Sequence, residues 1–301
     1  MRAGMKIILV GAGMAGRSVA LELTRRGLAD KIVVADISVA RAERLAGELS
    51  SLGVDSLPVR LDASDVDEAV ERARGCDVMV NAAFFSTIPN LTVAALRAGV
   101  HYVDLGSDSD TLRWQLSLSD DFASRGLRAI PGMGGSPGLV NVLAAWAVGE
   151  VDRPSEIKLR EGWVDFVDYE SAGVVLPVPY SLKTILDEFV SEAEVWVDGR
   201  LEKVPGMSGR EPFPFPPPVG EQECYYVDHQ EVWSLGETFS PSGVRLVDYK
   251  LSWPRELYEK YEFLARLGFA SEEQISVGGC PVRPADLLEE LARRQPEVEP
   301  N

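Results

Sequence analysis

Histidine and cysteine are scarce in this chain, two and three residues among 301. Cys76, Cys224 and Cys280 are odd in number and share no ligand spacing. Neither a disulfide framework nor a metal centre is therefore expected, and the setting reads as reduced and cytoplasmic. Basic residues are also in deficit, 30 against 47 acidic ones, giving a formal net charge of −17. A field of that sign repels phosphate polymers and anionic lipid, which argues against nucleic acid and membranes as partners. No apolar run reaches the ~20 residues of a membrane span. Met1-Arg-Ala-Gly4 passes straight into an apolar strand, without the core of a secretory leader. Such a composition fits a globular enzyme acting on a small molecule, long enough for two domains.

What the chain does have is concentrated at its start. The apolar strand Lys6-Ile-Ile-Leu-Val10 runs into Gly11-Ala-Gly13-Met14-Ala15-Gly16 and then into a helical pattern. After Gly27 a second apolar strand, Lys31 to Ala35, ends at Asp36. Gly11 permits a tight strand-to-helix turn, Gly13 lets the backbone approach a pyrophosphate, and Gly16 lets helix and strand pack closely. The helix amino terminus offers free N–H groups and a positive dipole end to phosphate. Asp36 stands where a carboxylate accepts hydrogen bonds from the adenosine ribose, and its charge favours NAD over NADP. Arg41 could accept a 2′-phosphate there, although it reads first as part of a solvated helix face with Arg44.

Strands and helices then alternate to about residue 147, with strands at 55–61, 77–80, 101–104 and 127–130 and helices at 66–73, 89–98 and 113–125. That order predicts an α/β Rossmann domain, a doubly wound parallel sheet over residues 1–150. Ligands of such sheets lie at the carboxyl ends of the strands. This marks Asp62 and Ala63 beside an adenine, small Asn81 and Ala82 beside a nicotinamide, and Asp104. Asp62 has a second reading as a helix N-cap. Beyond Glu150 the pattern becomes that of an α+β domain, residues 151–301. It has a helix at 181–190, a hairpin around Gly199, a proline-rich connection from Glu211 to Pro218, a strand at 243–251 and a helix at 255–267. Trp163, Trp196, Trp233 and Trp253 are spread along its expected strands, and Gln295 to Asn301 reads as a disordered tail.

Several segments in order resemble the saccharopine dehydrogenase-like oxidoreductases, the family of saccharopine reductase, lysine 6-dehydrogenase and carboxynorspermidine dehydrogenase. They are Gly11 to Gly16, Val80-Asn-Ala-Ala83, His101-Tyr-Val-Asp-Leu-Gly106 and Gly134-Gly-Ser-Pro-Gly-Leu-Val-Asn141. Tyr180 to Phe189, Phe213 to Pro218 and His229-Gln-Glu231 complete the set. The resemblance implies a Rossmann domain joined to an α+β domain carrying substrate and homodimer contacts, with catalysis in the cleft between. It implies hydride transfer between NAD(P) and the carbon of a C–N bond in an amino acid, opine or polyamine. The chain stops where such proteins usually add another strand and a closing helix.

That chemistry needs proton transfer while an imine forms or breaks. His229 and Glu231 are expected on one face of a strand as a titratable pair. Asp104 is expected to hold a substrate ammonium or move protons, with a helix or turn cap as its alternative, and Tyr102, on the same strand face, either positions substrate or belongs to the core. Two other readings stand beside this one. One is a non-catalytic NAD(H)-binding sensor or scaffold, the other a carboxynorspermidine-type enzyme of reductive condensation.

Overall fold

The computed structural model describes residues 4–106, 108–296 and 298. The chain divides into two compact units, Met1–Ala147 and Val148–Asn301. The first unit runs β1 (Met5–Val10), α1 (Met14–Arg25), β2 (Ala29–Asp36), α2 (Val39–Ser51), β3 (Asp55–Arg60), α3 (Val66–Ala73) and β4 (Val78–Asn81). It continues with α4 (Ile88–Ala98), β5 (His101–Asp104), α5 (Ser109–Ser117), α6 (Ser119–Ser124) and β6 (Ala129–Ile130), before α7 (Leu139–Gly149). Its six strands are all parallel in the order β3-β2-β1-β4-β5-β6. Strand order reverses between β1 and β4, the place where a doubly wound sheet leaves a crevice at its carboxyl edge. Both faces are covered, as the near-continuous apolar strands require. Ile8, Val10 and Met79 face one cluster and Ile7, Leu9 and Ile32 the other.

Two local readings are corrected here. The stretch 113–125 is not one helix: α5 ends at Ser117 and α6 begins at Ser119. The N-cap of α3 is Asp65, whose carboxylate accepts from the Glu68 N–H. Asp62 instead folds back on the Ser64 N–H and hydroxyl.

The second unit holds β7 (Glu156–Glu161), α8 (Leu182–Glu188), β8 (Glu192–Val197), β9 (Arg200–Pro205), β10 (Glu211–Pro214), β11 (Glu221–Tyr226) and α9 (Glu231–Phe239). β12 (Leu246–Trp253), α10 (Arg255–Leu267), β13 (Ile275–Val277), β14 (Cys280–Val282) and α11 (Pro284–Arg293) follow. Strands β10-β11-β12-β8-β9 form an antiparallel path, and β7 joins β12 in parallel. The proline-rich segment is therefore not merely a connection. Residues 211–214 pair with β11 as an edge strand, the one place in a sheet where Pro212 and Pro214 leave no needed donor missing.

Alternation along β12 gives the sheet two different faces. Val247, Tyr249, Leu251 and Trp253 share one face. Asp248, Lys250 and Ser252 share the other, where Arg160 of β7 bonds Asp248 and Glu211. Trp196 and Trp253 are buried in the core of this unit. Trp233, however, lies on α9, and Trp163 follows β7, its indole N–H donating to the Ser252 carbonyl. Gln295 is fixed by hydrogen bonds to Val175 and Leu176, against the expectation of a disordered tail. Residues 297 and 299–301 of that expected tail lie outside the described residues.

Candidate active site

Two sets of chemistry-bearing residues emerge, one in each unit. In the first, Gly11 turns the chain at φ +100°, and a Cβ there would lie 2.7 Å from the Ala82 backbone. A Cβ on Gly16 would lie 1.9 Å from the Gly11 carbonyl oxygen. Neither position has room for a side chain. Around Gly13, by contrast, a Cβ would meet nothing within 4 Å. Gly13, Met14 and Ala15 are exposed, and no side chain caps the start of α1. A loop closed behind and open in front, ending in uncapped helix N–H groups, fits the diphosphate of a dinucleotide.

Asp36 ends β2 and is buried at 6% exposure. Its Oδ2 accepts from the Ala12 N–H at 2.8 Å, and its Oδ1 accepts from the Ser38 N–H at 2.8 Å. Arg41 is exposed on its helix and also reaches back: its Nη2 donates to Asp36 Oδ1 at 2.9 Å and its Nε at 3.2 Å. Burial works to raise the Asp36 carboxyl, but the Arg41 bond and the two backbone N–H groups outweigh it and hold it below the ordinary range. Asp36 thus remains ionised with a guanidinium beside it. Asp62 and Ala63 follow β3 and are half-buried. Asn81 is buried, its amide donating to the Tyr102 hydroxyl and its Oδ1 accepting from the Ala83 N–H. Asn81 therefore shapes the turn that brings Ala82 against the glycine loop.

Tyr102 and Asp104 do share a strand face, but that face points into the unit. Tyr102 is fully buried in the cluster with Phe122 and Leu91, and burial pushes its phenol far up. Asp104 is also fully buried. Its Oδ1 accepts from the Gly106 and Gly132 N–H groups and its Oδ2 from the Gln115 amide. This carboxylate staples the loop after β5 to the loop after β6, which corrects the expectation that it faces a substrate.

The second set surrounds His229. The strand expected there does not exist: β11 ends at Tyr226, and Glu231 is the first residue of α9. The first helical turn, rather than strand alternation, brings Glu231 back to the imidazole, with Nδ1 at 3.1 Å from Oε2. Glu231 is fully buried, His229 retains 20% side-chain exposure, and the ring stacks on Tyr249 at 3.9 Å. Burial works to lower the His229 pKa, but the Glu231 bond and charge, with Glu188 and Glu161 beyond, raise it above the ordinary value. An imidazolium therefore persists toward neutral pH.

Sequence reasoning missed the groups around this pair. The Tyr249 hydroxyl donates to Glu161 Oε2 at 2.7 Å, fixing the end of β7 to β12. Ser181 caps α8 by accepting from the Thr184 N–H, and the helix delivers Glu188 at its far end. The Tyr180 hydroxyl lies 2.8 and 3.0 Å from the two Glu188 oxygens. Burial lifts the Glu188 carboxyl to about 7. Trp253, packed beside Tyr180 and Phe189, has a buried Nε1 without a partner among the described residues. The recurring segment Tyr180 to Phe189 pointed here, but nothing local in it reveals how buried Glu188 is.

Residues 7–130 match the family described as the saccharopine dehydrogenase NADP-binding domain. The match covers most of the first unit, which is thus similar to the nucleotide-binding domain of that family. The chain is 24% identical over 293 residues to carboxyaminopropylagmatine dehydrogenase of Synechocystis, a match covering 94% of this chain and 71% of that protein. It is also 24% identical over 313 residues to carboxynorspermidine synthase of Vibrio alginolyticus, covering 95% of this chain and 72% of that protein. Among solved structures the saccharopine dehydrogenase-like fold is shared with the L-glutamate-forming saccharopine dehydrogenase of Saccharomyces cerevisiae. The TM-score is 0.65 at 19% identity, over 89% of this chain and 59% of that one.

Proposed function

We propose that this oxidoreductase uses a nicotinamide dinucleotide to make or break the C–N bond of an amine, with a polyamine-like substrate favoured. The observation that carries the reading is the His229 site, where one imidazolium stands among Glu231, Glu188 and Glu161, the charged groups that act on it most strongly. Such a site attracts an amine-bearing cation and repels a dicarboxylate. The names of the two relatives, an agmatine derivative and a norspermidine derivative, point the same way. Gly11, Gly13, Met14, Ala15 and Gly16 would hold the diphosphate, Asp36 the adenosine ribose, and Asp62, Ala63 and Ala82 would border the rest of the dinucleotide. The bound nicotinamide supplies or accepts the hydride. His229 gives a proton to the departing hydroxyl when a carbinolamine collapses to an imine and takes one back in the reverse direction. Glu231 fixes the ring and keeps it charged. A panel of lysine, saccharopine and diamine–aldehyde pairs, followed by NAD(P)H absorbance in both directions, tests the reading. Cofactor binding with no turnover of any of them would replace the enzyme by a non-catalytic NAD(H)-binding protein.

Cofactor choice turns on Asp36 and Arg41. The carboxylate favours NAD(H), but its partner guanidinium offers a 2′-phosphate a counter-charge, so the preference is expected to be modest. Arg41→Ala should weaken NADP(H) roughly tenfold, the scale of one charge-assisted bond, while NAD(H) binding changes little. Calorimetry in which both cofactors lose affinity equally would remove Arg41 from cofactor selection.

A twofold dimer through the second unit is part of the same proposal. Phe263 and Leu267 stand one helical turn apart on α10, each more than 60% exposed. Light scattering that gives a monomer at every concentration would remove the dimer.

A further inference from the structure

The reaction proposed above requires two proton movements of opposite sense, and His229 accounts for one. To condense with a carbonyl compound, a substrate ammonium must first lose a proton; the carbinolamine hydroxyl must then gain one to leave as water. A single imidazolium poised to donate serves the second step and opposes the first. We infer that Glu188, held by Tyr180, is the base that takes the proton from the substrate ammonium. The inference rests on the proposed C–N chemistry and assigns it a second residue.

The geometry supports a division of labour. Glu188 closes α8 and is half-buried, with Tyr180 across its mouth at 37% exposure, so the pair reaches the surface where the deeper Glu231 does not. The Tyr180 hydroxyl donates to the carboxylate. Burial disfavours the charge on Glu188, Tyr180 and His229 favour it, and Glu161 and Asp187 oppose it again, leaving the group near 7. Glu161 comes from β7, Asp187 from α8 itself and His229 from the turn before α9, while Tyr249 of β12 and Tyr261 of α10 close the surroundings without charge. A carboxyl balanced there accepts a proton from an ammonium and releases it within the working pH range. The step conserves atoms and charge: R–NH3+ and the Glu188 carboxylate give R–NH2 and the Glu188 carboxylic acid. The amine attacks the carbonyl carbon, and His229 protonates the carbinolamine oxygen that departs as water. The two groups then exchange their protons with solvent, which resets both for the next cycle.

The inference predicts that kcat/KM rises with pH through about 7 as Glu188 ionises. Glu188→Gln should lower kcat/KM roughly a hundredfold and abolish that limb, and Glu188→Asp should restore part of both. Tyr180→Phe removes a donor that favours the carboxylate, so the limb should move upward, on the order of half a pH unit. Difference infrared spectroscopy of the full chain gives a reading independent of turnover. A carboxyl should titrate near 7, vanish in Glu188→Gln, and shift upward in both Tyr180→Phe and His229→Ala. Absence of any carboxyl titration between about 6 and 8 would overturn the inference whether or not a substrate is found. Turnover with an unchanged acidic limb in Glu188→Gln would overturn it while leaving the proposed function standing. Failure of every amine in the panel would instead count against that function, with the infrared titration still deciding whether Glu188 is poised.

Discussion

Replacing His229 by alanine should lower turnover on the order of a hundredfold, the scale on which a positioned general acid contributes. The expectation follows from the pairing at 3.1 Å with buried Glu231 and from the neighbouring carboxylates, which together outweigh the burial of the ring. With the folded pKa raised above the 6.5 of a free imidazole, the acid keeps its charge to a higher pH than a free imidazole would and loses it as pH rises through the folded value. In the condensing direction activity should therefore fall on the alkaline side, and the variant should lose this alkaline limb. NAD(P)H binding, proposed above for the glycine loop and Asp36, should remain nearly unchanged. A His229→Ala protein with parental turnover and pH profile would leave the histidine a packing residue stacked on Tyr249.

Removing Arg160 should have the largest effect on stability. Its guanidinium is 4% exposed and bonds Asp248, whose side chain is 4% exposed, while Nη2 also reaches Glu211 at 2.9 Å. Burial works to lower the Arg160 pKa, but bonds and charges from Asp248 and Glu211 raise it overall. Arg160→Met would leave the Asp248 charge in place without this cation, a change that costs about 3–5 kcal/mol in comparable buried pairs. Glu211 keeps Lys250 at 2.6 Å, so the damage should centre on Asp248. Adding Asp248→Leu should return most of the loss, because the cost lies in the stranded charge rather than in the missing attraction. Urea unfolding followed by tryptophan fluorescence reads both variants. A single variant within about 1 kcal/mol of the parent, the worth of an exposed pair, would show that water reaches Asp248.

The Rossmann unit was legible because its signals are local. Strands of period two, helices of period 3.6 and glycines at fixed spacing act over a few residues, so β5, α3 and α10 coincide with the expected spans. The errors came where a local pattern had two solutions. His229-Gln-Glu231 has the spacing of a strand face and also of a helix entry, and the chain took the second. Pro212 and Pro214 read as a stiff connection until β11 lies beside them, because edge position is a property of the sheet rather than of the segment.

The sequence by itself determined the glycine loop, the doubly wound order of elements and the family resemblance, since each is carried by short-range geometry that the residues impose on their own neighbours. Tertiary structure alone decided the pairings and the direction in which each buried group's pKa moves. Arg41 on Asp36, Asp104 turned inward as a staple, and Glu161, Glu188 and Glu231 gathered round His229 from β7, α8 and α9 all depend on groups brought together by folding. A pKa is fixed by burial and by charges a few ångströms away, and several of those neighbours, Glu161 and Glu188 for His229 among them, lie tens of residues away along the chain.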